Sequence, residues 1–485
     1  MESRLRSVTE HVERVIALVS PLPVVSLDLA DADGSILAED LHALVSVPPF
    51  DSAAMDGYAV RLADLPSGGG PVTLQVTGDV AAGPSQVTGI GPGQAVRIMT
   101  GAPLPPGADA VVPVEHTSTG RFVAGAPRAE GSVTLARRPR PHVRSAGEDV
   151  RRGELLARAG TEVTAAVVGA LAASGTVRVP VRRRPLVAVI STGSELVPVG
   201  GALGPGQITD SNGPMLAAAV RAAGADVVRL GPVSDDPAAL RAALDAAVRD
   251  TATPDASVRD TDVRKTEVRK TEVRETEVRG APGVGGGAGV DLIVTAGGVS
   301  AGAADVVREV LAAPSAGHDA AATDVDVATV AMSPGKPQAL ARWRGVPWLA
   351  LPGNPVGAYA SFELFGRPAI GRLRGATLSG KDHLSGLCCS ASTSSTQSNT
   401  LRSVTLAAAA GWSCSPGRLL IVPVRLVPLP DESPADNSAA GRVGVAPTGS
   451  HHALSALAAA DGLALVPPDV EKVRAGDLVQ VLMLR

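Results

Sequence analysis

The stretch RPLVAVISTGSEL, residues 184–196, is an unbroken apolar run that ends abruptly in Ser, Thr, Gly, Ser and Glu. It reads as a buried strand delivering a polar loop. Downstream, NGPMLAAAVRAAG (212–224) reads as a helix, ADVVRLGPV (225–233) as a strand, and DDPAALRAALDAAV (235–248) as a helix opened by Asp and Pro. VDLIVTAGG (290–298) is again a strand and ADVVREVLAA (304–313) a helix, followed by strands at VATVAM (327–332) and VPWLAL (346–351) and a helix beginning near Pro355. Strands alternating with helices of this length predict a parallel, doubly wound α/β sheet.

In such sheets ligands bind beyond the carboxyl ends of the strands, where loops lead into helices. Five polar loops qualify: STGSEL with Thr192, Gly193 and Glu195; QITDSNGP with Asp210 and Asn212; TAGGVSAGAAD with Gly297, Gly298, Ser300, Gly302 and Asp305; MSPGKP with Pro334, Gly335 and Lys336; LPGNPVG with Pro352, Gly353 and Asn354. Consecutive glycines at helix N-termini present N–H groups to an anion, and Lys336 adds a point charge, so phosphate binding is expected. Glu195, Asp210 and Asp305 near a phosphate would hold Mg²⁺, which takes a few carboxylates with waters and phosphate oxygens. Taken singly, each loop also reads as strand-to-helix punctuation, and each acid as a helix cap or a solvated side chain.

The 485 residues imply roughly three or four compact units. With 44 basic and 48 acidic residues the net charge is -4, so the total gives no reason to expect nucleic acid or an anionic membrane surface as partner. MESRLRSVTEHVERVIALVS reads as an amphipathic helix with Val8, Val12, Val15, Ile16 and Val19 on one face, not as a signal peptide. The longest apolar stretches, such as 163–173, are too short to span a bilayer, and a cytoplasmic protein is expected. Cys388, Cys389 and Cys414 suggest neither a metal site nor a disulfide framework.

Around the α/β core, 47–140 is expected to form a β-rich domain, with 1–46 and 141–182 as an N-terminal helix and an elongated linker and dimerisation region. The α/β domain spans 183–378, a Ser/Thr-rich linker 379–400, and a small C-terminal β-barrel 401–485. Within the α/β domain, 255–289 contains VRDTDVRKTEVRKTEVRETEVRG, whose valines recur every five residues. That step lines neither a helix face nor a strand face, so a disordered, solvated insertion is expected.

The stretch PPFDSAAMDGYAV, 48–60, sets Phe50 and Tyr58 around Asp51 and Asp56 in a chain with only 2% aromatics. By itself Asp56 before Gly57 reads as a turn-stabilising side chain. Together, FDSAAMDGYAV, RIMTGAPLPPGADAVV, AGEDVRRGE, ISTGSEL, TDSNGPML, TAGGVSAGAAD, SPGKPQ and LPGNPVGA resemble, in order, the molybdopterin molybdenumtransferases, the MoeA family, to which the gephyrin E domain is similar. The resemblance extends to VRAGDLVQVLML at the C-terminus.

The resemblance implies the last step of molybdenum cofactor synthesis. Molybdate and adenylylated molybdopterin are the substrates, molybdenum is inserted at the dithiolene sulfurs, and AMP leaves with Mg²⁺ assisting. It implies catalytic roles for Asp56, Thr100, Asp149, Glu195 and Lys336, and a homodimer whose cleft faces the Asp56 and Thr100 segments of one subunit to the α/β domain of the other. In that picture Phe50 and Tyr58 anchor the turn by packing. Ser450 and His451 in TGSHHALSAL are implied contributors from the last domain, with His452 facing solvent. Contact with other proteins of cofactor synthesis is a further implication. Two departures stand out: Ala53 replaces the family's usual serine, and Ser333 replaces a lysine common in relatives, which implies either lower molybdate affinity or charge supplied by Arg342 or Arg425. Molybdopterin adenylylation, and a scaffold that binds molybdopterin without turnover, are the competing functions.

Overall fold

The computed structural model describes residues 5–66, 70–84, 89–122, 131–135, 141–249, 289–299, 305–312, 321–376, 403–429 and 443–484. Most of the 255–289 insertion, the 379–400 linker, Ser300, Gly302, Cys388 and Cys389 lie outside the described residues. The chain divides into two compact units, one of Met1–Val25, Gly34–Ile36 and Val181–Arg485, the other of Ser26–Asp33 and Leu37–Pro180.

In the first unit a six-stranded sheet is built from β1 (Leu186–Ser191), β2 (Asp226–Arg229), β3 (Leu292–Ala296), β4 (Ala322–Thr329), β5 (Pro337–Trp343) and β6 (Val346–Leu351) in the order β2-β1-β3-β6-β5-β4. β2, β1, β3 and β6 run parallel, while β5 is antiparallel to both β6 and β4. The sheet is therefore parallel only over its first four strands. A tight turn reverses the chain between β5 and β6, with Arg344 and Gly345 at φ 47° and 85°.

Alternation along β1 explains the apolar run. Val187 and Val189 enter one core, with Leu292, Val294, Leu349 and Leu351, while Ala188 and Ile190 enter another, with Ile293, Trp348 and Ala350. Both faces are thus covered, as a parallel strand requires. The first core is closed by α1 (Val8–Leu18), α2 (Asn212–Ala222) and α5 (Pro355–Ser361), the second by α3 (Pro237–Val248) and α4 (Val306–Ala312). Each fully buried Val or Leu contributes about 1.5–3 kcal/mol. Asp236 caps α3 through Ala238 N–H and Ala239 N–H, with Pro237 at the first helical position.

α1 was expected with the linker region, yet it packs on the α/β unit. Val8, Val12, Val15 and Leu18 bury in the core that contains Val187 and Leu292, and Ser7 accepts from Glu10 N–H to cap the helix. The same unit holds the C-terminal barrel, in which Ser403–Ala408, Leu419–Pro428, Val443–Pro447, Gly462–Val466 and Leu478–Met483 close into a five-stranded ring, since Leu419–Pro428 pairs with both Val443–Pro447 and Gly462–Val466.

The second unit carries a five-stranded sheet in the order Ala110–Pro113, Gly57–Val60, Gln94–Ile98, Val72–Val80, Ser132–Leu135. It is antiparallel except where Val72–Val80 runs parallel to Gln94–Ile98. Among the described residues no helix is long and apolar enough to cross a membrane.

Candidate active site

Loops from β1, β3 and β6 meet at the carboxyl edge of the parallel strands. Thr192 N–H donates to Ala296 O at 2.9 Å and Gly297 N–H to Leu351 O at 3.1 Å, which laces the three strand ends together. Asn212, at the start of α2, donates from Nδ2 to Gly353 O at 2.8 Å. Gly353 in turn lies so near Gly297 that a Cβ on it would be 3.4 Å from Gly297 Cα. Gly297 has φ 107°, and a side chain there would sit 2.3 Å from Thr192 O, so only glycine lets these loops close.

At the loop ends of this sheet, four buried side-chain atoms among the described residues have no hydrogen-bond partner: Ser191 Oγ, Thr192 Oγ1, Asn212 Oδ1 and Asp305 Oδ2. Buried polar atoms are normally paired, so these orphans at the loop ends of one sheet are groups that a ligand or an ordered water would satisfy. Ser191 and Thr192, as consecutive residues, serve opposite sides of β1. Ser191 Oγ lies 3.1 Å from where a Gly213 Cβ would be, beside Asp210 and Arg229, whereas Thr192 Oγ1 lies next to Gly297 and Gly298. Ser191 belongs to the STGSEL loop of hydroxyls but was not among the expected site residues, and Arg229 is not expected from the sequence. The signals that would have found them are the last hydroxyl of an apolar strand and a charge at the carboxyl end of the neighbouring one.

The three acids expected to hold a metal behave differently. Asp210 is 1% exposed; its Oδ1 accepts from Gly213 N–H at 2.9 Å and its Oδ2 lies 3.7 Å from Arg229 Nη2. Its charge is therefore committed to a helix turn and a guanidinium. Glu195 is exposed, its carboxyl folded over Gly193. Among the described residues no three His, Cys, Asp or Glu side chains gather in a group that could hold a metal ion. The expected triad does not converge; Asp305, with its orphaned Oδ2, is the acid among them with buried acceptor capacity.

Asn354 caps α5, its Oδ1 accepting from Gly357 N–H at 3.1 Å. Pro334 follows a cis peptide bond from Ser333, Gly335 is at φ 113°, Pro352 is buried, and Lys336 is exposed. Ser194 and Asp235 exchange two 3.0 Å hydrogen bonds, which fasten the STGSEL loop to the loop after β2. Arg342 is at the far end of β5, donating to Asp324, Gly345 O and Leu18 O, and supplies no charge to the loop of Lys336. Arg425 is exposed on a barrel strand. Ser450 Oγ accepts from His452 N–H at 3.4 Å; His452 is exposed, and the His451 ring lies 4.1 Å from it. Burial first, and the His452 charge second, lower the His451 pKa.

In the second unit Asp56 Oδ1 accepts from both Thr100 N–H at 2.7 Å and Thr100 Oγ1 at 2.8 Å, so two of the expected catalytic residues form one exposed pair. Asp149 is exposed and 3.3 Å from Arg144 Nη2. Tyr58 is fully buried, bonded to Thr119 Oγ1 at 2.9 Å and edge-on to Phe122, and does anchor the turn. Phe50 does not: it is 45% exposed. Asp51 instead fixes its end of the turn by accepting from Ala146 N–H at 2.7 Å.

Comparison with known proteins agrees along the whole chain. Residues 6–175 match the MoeA N-terminal region (domain I and II), 188–256 and 273–372 a probable molybdopterin binding domain, and 405–484 the MoeA C-terminal region (domain IV). A protein of Mycobacterium tuberculosis named molybdopterin molybdenumtransferase 2 is 36% identical over 482 residues, 98% of this chain and 99% of that one. The chain belongs to the molybdopterin molybdenumtransferase family. It is an enzyme of molybdenum cofactor biosynthesis, a transferase. Molybdopterin molybdenumtransferase 1 of Mycobacterium tuberculosis is 34% identical and covers 99% of both chains. A crystal structure titled molybdopterin biosynthesis moea protein, from Pyrococcus horikosii, superimposes with a TM-score of 0.66 at 26% identity, covering 99% of this chain and all of that one.

Proposed function

We propose that this member of the family transfers molybdenum from molybdate to adenylylated molybdopterin and releases AMP. The observation that carries the reading is the set of orphaned polar atoms, Ser191 Oγ, Thr192 Oγ1, Asn212 Oδ1 and Asp305 Oδ2, in the domain matched as molybdopterin-binding. A ligand with hydroxyl, amide and phosphate groups satisfies such atoms, and leaving them unmet costs roughly 1–3 kcal/mol each. The Gly297, Gly298 and Gly353 backbone permits close approach of a phosphate chain, with Thr192 Oγ1 as donor beside it. On the other side of β1, Ser191, Asp210 and Arg229 face a different part of the ligand.

The Ser333–Pro334–Gly335–Lys336 loop takes the tetrahedral oxyanion. Lys336 brings one mobile positive charge, and Ser333 one hydroxyl in place of a second lysine. Asp305 and Glu195 are suited to Mg²⁺, which prefers one or two carboxylates completed by phosphate oxygens and water. When bound, the ion offsets charge on the departing AMP. Two copies of the chain assemble so that the Asp56–Thr100 pair and Asp149 of one copy serve the α/β site of the other. Asp56, holding Thr100 by two bonds, orients a hydroxyl and a carboxylate for water or ligand.

The test is to incubate the purified protein with adenylylated molybdopterin and Mg²⁺, with and without molybdate, and to measure AMP. Molybdate-dependent release is expected. Tight binding of the nucleotide without release refutes the transfer reading for this chain and leaves a carrier. Consumption of ATP with free molybdopterin identifies the adenylylation activity instead.

A further inference from the structure

The backbone around Lys336 is fixed from both sides. Lys336 O accepts from Val330 N–H at 2.8 Å, and Gly335 O accepts from Gln338 Nε2 at 2.7 Å. The same Nε2 donates its other proton to Ser361 Oγ at 2.7 Å. Gln338 is 1% exposed and Ser361 fully buried, so the bond between them is shielded from water. Gly335 is closed in by these neighbours: a Cβ on it would meet Met332 Cε at 2.7 Å and Ser361 Oγ at 2.9 Å. Gly357, in the first turn of α5, packs against its other side, where a Cβ would stand 3.2 Å from Gly335 N.

We propose that Gln338 is a positioning residue for oxyanion binding, acting through the Gly335 carbonyl to hold the Lys336 backbone in place. This rests on the reading of the 333–336 loop given under Proposed function. The physical case is preorganisation. Lysine is a flexible point charge, and its binding geometry is only as defined as its Cα. With both flanking carbonyls pinned, the exposed ammonium searches from a fixed origin. Glutamine is required because both partners of Nε2 are acceptors in this arrangement; a carboxylate has no proton to give either. Ser361 is the support of the support, since it fixes the carboxamide plane from α5.

The experiment uses the full chain with molybdate alone and AMP alone as calorimetric probes, together with hydrogen exchange of the Val330 amide, the donor to Lys336 O, in the ligand-free protein. Gln338→Met keeps the volume and removes the donors. It should speed exchange at the Val330 amide and weaken molybdate by about tenfold, the equivalent of one hydrogen bond's net contribution, while leaving AMP affinity unchanged. Gln338→Glu should fail likewise, and Ser361→Ala, which keeps the Gly335 contact, should lie between it and the native protein. Unchanged exchange in Gln338→Met overturns the proposal. So does parallel loss of AMP and molybdate affinity with a lowered Tm, which means a role in folding. Native protein that binds AMP but no molybdate overturns the oxyanion reading itself, a failure visible before any variant is made.

Discussion

Lowering the pH from 8 to 5 should loosen α1 selectively, because His11 folds as a neutral imidazole. Its ring is fully buried, edge-on to Phe365 at 4.6 Å, with Nδ1 3.3 Å from Arg6 Nη1. Burial, reinforced by the Arg6 charge and opposed by Asp326, brings its pKa from 6.5 down to about 3. The folded pKa is depressed, so the native state stays unprotonated while the unfolded histidine takes up a proton. The contribution is whole above pH 6.5 and is lost as the pH falls toward 3. From pH 8 to 5 the loss is roughly 2 kcal/mol, or about thirtyfold in the equilibrium against opening. Asp326 does not confuse the window. Burial raises its pKa, but the hydrogen bonds and charge of Arg6 outweigh burial and lower it below 3.8, so its contribution fades only in stronger acid. The measurement is native-state hydrogen exchange of the α1 amides at both pH values, corrected for intrinsic rates. His11→Phe should abolish the dependence. Protection that ignores pH in the native protein, or an equal drop in His11→Phe, refutes the reasoning.

Gly213→Ala places a Cβ 2.5 Å from Asp210 Oδ2 and 3.1 Å from Ser191 Oγ. It should destabilise the α/β unit by about 1–3 kcal/mol and weaken AMP binding, measured by denaturant midpoint and calorimetry. Lys336→Ala should cost about 100-fold in molybdate-dependent AMP release with unchanged circular dichroism, as loss of a charge-stabilising group does. Asp56→Asn should keep the fold, since an amide oxygen still accepts from Thr100, and reduce release. A mixture of Asp56→Asn and Lys336→Ala chains, unfolded and refolded together, should recover about a quarter of native release, because half the dimers carry one intact site of two. A mixture no better than its parents disproves the shared cleft.

Much of the fold was legible because burial leaves a mark on local sequence. β1 and β3 are apolar apart from Ser191 and Thr295 since both faces enter a core, and α3 announces its start with Asp236 and Pro237. Strand direction left no such mark. The QALARW segment was not assigned a strand, and its reversal into a hairpin with VPWLAL follows from a turn at Arg344 and Gly345 that any polar loop would disguise. α1 showed its apolar face, but a face does not name its partner; packing against Val187 and Leu292 did.

The site divides in the same way. The glycines, Lys336 and the loop hydroxyls could be read from type and spacing, because a strand's carboxyl end is where an α/β sheet presents its ligand groups. Which carboxylate is available could not. Asp210, Glu195 and Asp305 look alike as letters, and only three-dimensional neighbours give Asp210 to Gly213 and Arg229, leave Glu195 at the surface and keep Asp305 Oδ2 unpaired. Gln338 shows the same limit, for its partners are three residues back and 23 residues ahead in the chain. Sequence by itself determined most element types, the family and the polar loops at the strand ends, since these depend on local periodicity and composition. Tertiary structure decided strand direction, the place of α1 and the role of each polar group, because hydrogen bonding and desolvation are set by neighbours brought together across the chain.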